Sequence, residues 1–300
     1  MKQKNYAEYV LAAIDSVLII LIVLYFPFLS DKTGSSVEKT SLLNLKYTQL
    51  VDTITIQDPL KNTLTLYKYN DTWKGKTEEG MVFPAVISIQ DFLDSMSAVR
   101  KMQKISDSFE SWPSFGLTQD NALSISFENS NTLEKYSVLY FGSVNFNGQK
   151  VFVRTEKASV YECMNTMQNY LTADVSFWAD TSLIPSCTGI TQDTVQSVRL
   201  FAYDTSFENT TVRKIITEQS QDFSSYVSRL LHSTGKPVPC NNAEKTAALI
   251  IENGDGTEYL LDIFSGVDEQ YYAVHTNAEY TYALEISTWT FDRLIEPFLQ

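Results

Sequence analysis

Two histidines and three cysteines are all that this 300-residue chain offers of the residue types that most often serve as general bases, thiol nucleophiles or transition-metal ligands. A Ser-His-Asp or Cys-His site would have to use His232 or His275. His232 falls at the end of a helical pattern, where a cation is locally favourable. His275 stands in a strand pattern at the place held by Arg154 in an earlier, similar segment, and is expected to be exposed. HExxH, CxxC, GxSxG and Walker-type glycine runs are missing, so no catalytic site is expected. Cys163, Cys187 and Cys240 are too few for a disulfide-rich scaffold; buried thiols are the expectation, with room for one bridge, such as Cys187 to Cys240. Basic clusters are lacking too. Against 36 Asp and Glu there are 23 Lys and Arg, a formal net charge of −13, which speaks against nucleic acid as a partner.

What the chain does have is a long apolar run near its start. From Tyr9 to Leu29 there are 21 residues, of which 14 are Leu, Ile, Val or Phe. A helix needs about 20 residues to cross a hydrocarbon core. At about −0.4 kcal/mol each, these side chains contribute roughly −6 kcal/mol to insertion, against at most about +3 kcal/mol from Asp15. The anchor is expected to centre on Val17, Leu18, Ile19, Ile20, Leu21, Ile22, Val23, Leu24, Phe26 and Phe28. No small-x-small cleavage site follows in "YFPFLSDKTG", and no lipid-acceptor cysteine is near, so the anchor reads as uncleaved. Lys2 and Lys4 precede it and favour a cytoplasmic N-terminus, with the bulk of the chain extracytoplasmic. The polar, Gly/Ser-bearing stretch "SDKTGSSVEKTS" then reads as a flexible stalk.

Beyond residue 42 the pattern is written twice. "VDTITIQ" and "TLTLYKY" alternate as a hairpin. Val86, Ile89, Leu93, Met96 and Val99 follow at 3-4-3-3 spacing, which predicts a helix entered just after Pro84. "ALSISFE" and "LEKYSVLYFG" make a second hairpin across "NSNT", and Asn147-Gly148 turns the chain into "KVFVRT". "ASVYECM" reads as a strand and "NTMQNYLTAD" as a short helix. The later half repeats this order. "VQSVRLF" and "TTVRKIIT" echo the first hairpin, and Phe223, Tyr226, Val227, Leu230 and Leu231 form a helical stripe. "AALIIENGDGTEYLLDIFSG" is the matching long hairpin, followed by "QYYAVHT", "YTYALEI" and a last helix from "STWTFDRLIEPF" capped by Ser287 or Thr288. Such repetition of element order predicts duplication.

Other features read as structure. Asp255 and Glu258 in "NGDGTE" are too few for a calcium loop and suit a tight turn. Asp268 and Glu269 are adjacent, so in a strand they would face opposite ways, and they read as a solvated loop. Trp73, Trp112, Trp178 and Trp289 stand at element ends or inside apolar patterns, where core packing is the expectation.

"ITI", Trp73, Pro84, a helix, "FGL" at Phe115–Leu117, "YFGS" and "VFVRT…SVYE" together resemble a domain-of-unknown-function family of membrane-anchored bacterial proteins. Its members are similar in context to auxiliary components of gliding-type ABC transporters. The likeness spans roughly residues 42 to 298, with "FGL" here where the family usually shows "YGL". It implies an extracytoplasmic protein partnered by ABC transporter subunits, and supplies no catalytic residue. The expected fold is α+β: one N-terminal transmembrane helix (residues 1–30), a stalk (31–41) and two tandem related units (42–185 and 186–300). Each unit is an antiparallel sheet covered by helices. The expected function is that of a non-enzymatic accessory subunit of a membrane transporter or export assembly, without cofactor, touching the lipid bilayer through its leading helix. A glycan-binding module and a hydrolase using Asp and Glu pairs brought together by folding are the alternatives.

Overall fold

The computed structural model describes residue 18 and residues 36–299, leaving out 87, 203–210, 240–242, 267–269 and 276–278. The anchor residues Val17, Ile19, Ile20, Leu21, Ile22, Val23, Leu24, Phe26 and Phe28 lie outside the described residues, as do Cys240, Asp268 and Glu269; Leu18 is helical and exposed. Among the described residues no helix is long and apolar enough to cross a membrane.

The chain is α+β, built mostly from two antiparallel sheets with few helices. The strands are β1 Val37–Thr40, β2 Thr53–Gln57, β3 Thr63–Tyr69, β4 Thr72–Thr77, β5 Val82–Pro84, β6 Arg100–Ser106, β7 Leu123–Asn129, β8 Glu134–Val144, β9 Lys150–Arg154 and β10 Val160–Met164 in the first sheet. The second holds β11 Val195–Ala202, β12 Thr211–Thr217, β13 Lys236–Pro239, β14 Glu244–Asn253, β15 Glu258–Ser265, β16 Tyr271–His275 and β17 Tyr282–Ile286. The helices are α1 Ile89–Ser97, α2 Val175–Trp178, α3 Phe223–His232 and α4 Thr288–Leu299.

The first sheet runs β1-β6-β10-β9-β8-β7-β2-β3-β4-β5 and the second β12-β11-β14-β15-β16-β17-β13. Read from β3 to β6, the first gives β3-β2-β7-β8-β9-β10-β6. Every strand of the second sheet occupies the place of its counterpart in chain order, and α1 and α3 fall at the same point, between the opening hairpin and the outlying strand. The strands β1, β4 and β5 are additions peculiar to the first sheet. Alternation explains the pairing: Ile54 and Ile56 of β2, Leu64 and Leu66 of β3, and Ile125 and Phe127 of β7 all turn to one buried face. There Phe92 of α1 meets Phe127, Tyr170 and Trp178. In the second sheet Tyr226 of α3 packs edge-on against Phe298 of α4 and donates its hydroxyl to the Leu294 carbonyl at 3.1 Å.

Several expectations need correcting. The stretch from Val86 to Val99 is not one helix: α1 begins at Ile89 and stops at Ser97, Val99 is exposed, and the chain continues as β6. Pro84 ends β5 rather than opening a helix. Val37–Thr40, placed in the flexible stalk, is the edge strand β1, paired with β6. "NTMQNYLTAD" yields only a 3-10 turn, Gln168–Tyr170. The last helix is capped by Ser287, whose hydroxyl accepts from the Thr290 amide at 3.1 Å.

Candidate functional site

Three of the motifs that carry the family likeness converge in space. Gly116 takes a left-handed φ of 67°, which ends the 3-10 turn Phe109–Phe115 and turns Leu117 inward. Gly142 of β8 lies against this turn, so that a Cβ there would stand 2.2 Å from the Phe115 carbonyl oxygen. The neighbouring Ser143 hydroxyl donates to that same oxygen at 2.8 Å, and the Phe115 and Phe152 rings lie 4.6 Å apart. Arg154, at the end of β9, closes the cluster. Only 3% exposed, its guanidinium is held between the rings of Trp112 and Tyr140, 3.5 and 3.6 Å from their centres. Its Nε donates to the Leu117 carbonyl at 2.8 Å and its Nη1 to the Thr155 carbonyl at 2.9 Å. "FGL", "YFGS" and "VFVRT" are therefore three sides of one lock. Beside it opens a cleft of about 210 Å³, floored by Leu42, Met102, Leu139 and Val153 and edged by Glu38 of β1 and by Lys157.

A second cluster forms where the two sheets meet. The residues entering β17 run beside β5: the Thr281 amide donates to the Val82 carbonyl at 2.9 Å, and the Thr281 hydroxyl accepts from the Val82 amide at 2.9 Å and donates to the Gly80 carbonyl at 3.0 Å. Lys74 of β4, 4% exposed, forms an ion pair with Glu279 and lies 4.5 Å from the Tyr69 ring centre. Asp180, in the segment joining the sheets, accepts from the Ser182 amide and from the amide and hydroxyl of Ser186. Around them stand Cys187, Tyr259, His275, Tyr280 and Tyr282. The Tyr280 hydroxyl is 3.9 Å from the Cys187 sulfur, and Tyr259 is hydrogen-bonded to His275 Nδ1.

Burial governs the protonation of this cluster. It pushes the His275 imidazole down to about 4, with Asp180 opposing weakly, and raises the hydroxyls of Tyr259, Tyr280 and Tyr282. Although the Cys187 residue is exposed, partial desolvation of its sulfur also raises the thiol, which the contact with Tyr280 only partly offsets. A nucleophilic cysteine needs the reverse shift. At neutral pH the thiol, the imidazole and the phenols are all uncharged, and the Asp180 carboxylate is engaged in holding a turn. The geometry suits holding two sheets together better than activating a nucleophile.

The residues singled out in the sequence fall as follows. His275 is not exposed: at 4% exposure it shares the inward face of β16 with the core residue Ala273. Its sequence counterpart Arg154 is buried instead by the turn that carries Trp112. His232 ends α3, exposed, with Nδ1–H donating to the Ser228 carbonyl at 2.6 Å. Asp255 folds its own turn, accepting from the amide and hydroxyl of Thr257. Trp178 is in the core and Trp73 packs against it, but Trp289 is 65% exposed and does not serve as a core residue. Cys163 and Cys187 are free thiols, Cys163 buried and Cys187 exposed, which corrects the expectation of buried thiols throughout. A cleft of about 570 Å³ is lined by Asp58, Glu78, Glu79 and Asp174. Two of these are structural: Asp58 binds Asn62 across the β2–β3 turn, and Asp174 caps α2 through the Ser176 amide. The tyrosine-rich junction escaped sequence reasoning because its members are scattered from Tyr69 to Tyr282.

A long antiparallel sheet carrying an arginine lock, followed in the chain by a second sheet that repeats the order of seven of its strands, defines the class of this α+β chain. The family model described as "Domain of unknown function (DUF4340)" matches residues 87–247, more than half of the chain, and the protein belongs to that family. The matched span contains all three sides of the Arg154 lock and runs into β14. No curated protein and no solved structure matches the chain.

Proposed function

We propose that the protein is a membrane-anchored, extracytoplasmic accessory subunit that binds other proteins of a transporter or export assembly, with ABC transporter subunits as the partner class, and performs no chemistry of its own. The two sheets descend, in this reading, from one duplicated unit; the seven-strand order they share is the observation that carries it, because it makes the chain a doubled scaffold. Further support comes from the apolar run Tyr9–Leu29, from β1 with its four exposed side chains at an open sheet edge, and from the uncharged thiol, imidazole and phenols of the junction. Crosslinking in intact membranes followed by detergent solubilisation and purification of the full chain tests it. Transporter subunits should be recovered in fixed ratio. Recovery of the chain alone, or release of the uncrosslinked protein by carbonate washing, would overturn the reading.

Glycan binding is the second reading, and one residue favours it. Trp289 presents an aromatic face to solvent at the rim of a cavity. Retention on purified cell-envelope polysaccharide, lost on Trp289→Ala, distinguishes it from the first.

A further inference from the structure

The last turn of α3 and the first turns of α4 enclose a cavity of about 250 Å³ that neither the arginine lock nor the sheet junction uses. Arg229 and His232 line it from α3, and Trp289, Thr290 and Arg293 from α4. The chain has six arginines and two histidines in a background of 36 acidic residues. Two of those arginines and one of those histidines meet here, and no Asp or Glu lines the space. Arg229 Nε is shielded from solvent and has no hydrogen-bond partner. Neither Arg229 nor Arg293 forms a salt bridge among the described residues. Their guanidinium groups lean on rings instead, Arg229 at 5.9 Å from the centre of Tyr226 and Arg293 at 4.4 Å from that of Trp289.

A buried donor without an acceptor is costly, and two guanidinium groups lining one small cavity repel less when an anion sits in it. The planar guanidinium fork matches a carboxylate or a phosphate. The cavity also sits at the start of the twelve-residue helix α4, whose dipole favours negative charge there. Its volume is below the usual range for drug-sized ligands, roughly 300–1,000 Å³.

We propose that this cavity binds a small oxyanion, a carboxylate or phosphate on a sugar-sized body, with Arg229 and Arg293 as the clamp and Trp289 as the flat apolar wall. A soluble sugar anion and a phospholipid headgroup share this chemistry. The inference stands apart from the transporter reading, and its failure leaves that reading untouched.

The full chain in a neutral detergent is titrated with inorganic phosphate, glucuronate, glucose 1-phosphate and dihexanoyl phosphatidylglycerol. Tryptophan fluorescence and calorimetry are followed, with glucose as the uncharged control. Saturable binding is expected for at least one anion and none for glucose. Arg229→Met or Arg293→Met should weaken it about tenfold or more, the loss of a charged hydrogen bond. Arg293→Lys should retain part of the affinity. Trp289→Phe should remove the fluorescence change while calorimetric binding persists. Preference for the short-chain lipid identifies a headgroup as the source, and preference for the sugar anions a soluble ligand. Lack of saturable binding by all four probes overturns the proposal. So does undiminished binding by both methionine variants when they melt at the wild-type temperature.

Discussion

At Gly142 an added methyl group would stand 2.2 Å from a backbone oxygen, and neither partner can swing away. Gly142→Ala is therefore expected to destabilise by about 3 kcal/mol, the upper end for overpacking, read as a lower midpoint in urea at unchanged slope. The buried His275 gives a pH signature. Its imidazole titrates near 4 in the folded chain and at 6.5 when free. Between those values the unfolded chain binds a proton that the folded chain excludes. Stability is thus complete above pH 6.5 and falls as pH drops toward 4, by about 3 kcal/mol in all. Denaturant titrations of wild type and His275→Gln across this window should diverge in slope, the variant losing the His275 contribution. Parallel curves would sink the assignment. The inward placement of His275 is missed in the sequence: a polar side chain matched to Arg154 reads as solvent-facing, although the alternation with the buried Ala273 along β16 carries the opposite signal. The tyrosines around it are not legible either, because they arrive from β15 and β17, whose packing no local pattern encodes.

Elements with strict two-residue alternation, such as β2, β3 and β7, are legible because one buried face demands that spacing. Five strands, β1, β4, β5, β6 and β13, are not, and three of them show why. β6, "RKMQKIS", is polar enough to pass for the tail of the preceding helix, and becomes a strand only because β1 and β10 offer partners on both sides. β13, "KPVP", carries two prolines, which argue against a strand and are tolerated at the sheet edge it occupies. β1 shows four exposed side chains and no apolar face to read. Where elements from the two sheets meet, Thr281 alone supplies two side-chain hydrogen bonds. Thr281→Val should cost about 2 kcal/mol and speed hydrogen exchange at the Val82 amide, with exchange in β14 and β15 little changed. Unaltered exchange at Val82 would show that this contact does not fasten the junction.

For the molecule as a whole, most buried apolar side chains of both sheets belong to one continuous core, running from Leu42 to Phe298. Although the sequence reads as two units, folding is expected to be shared. Thermal unfolding of the detergent-solubilised chain should show one transition, coincident by tryptophan fluorescence and far-ultraviolet circular dichroism. Two separated transitions would mean that the sheets melt independently and that the junction contributes little to either.

The pairing of Val37–Thr40 into the first sheet also limits reach. If the run ending at Leu29 crosses a bilayer, seven residues, 30–36, separate the lipid from a fixed strand. Fully extended, they span about 25 Å. The β1 edge would then hover within one such length of the headgroups, so partners would be met sideways, in the plane of the membrane, rather than by a body swinging freely above it.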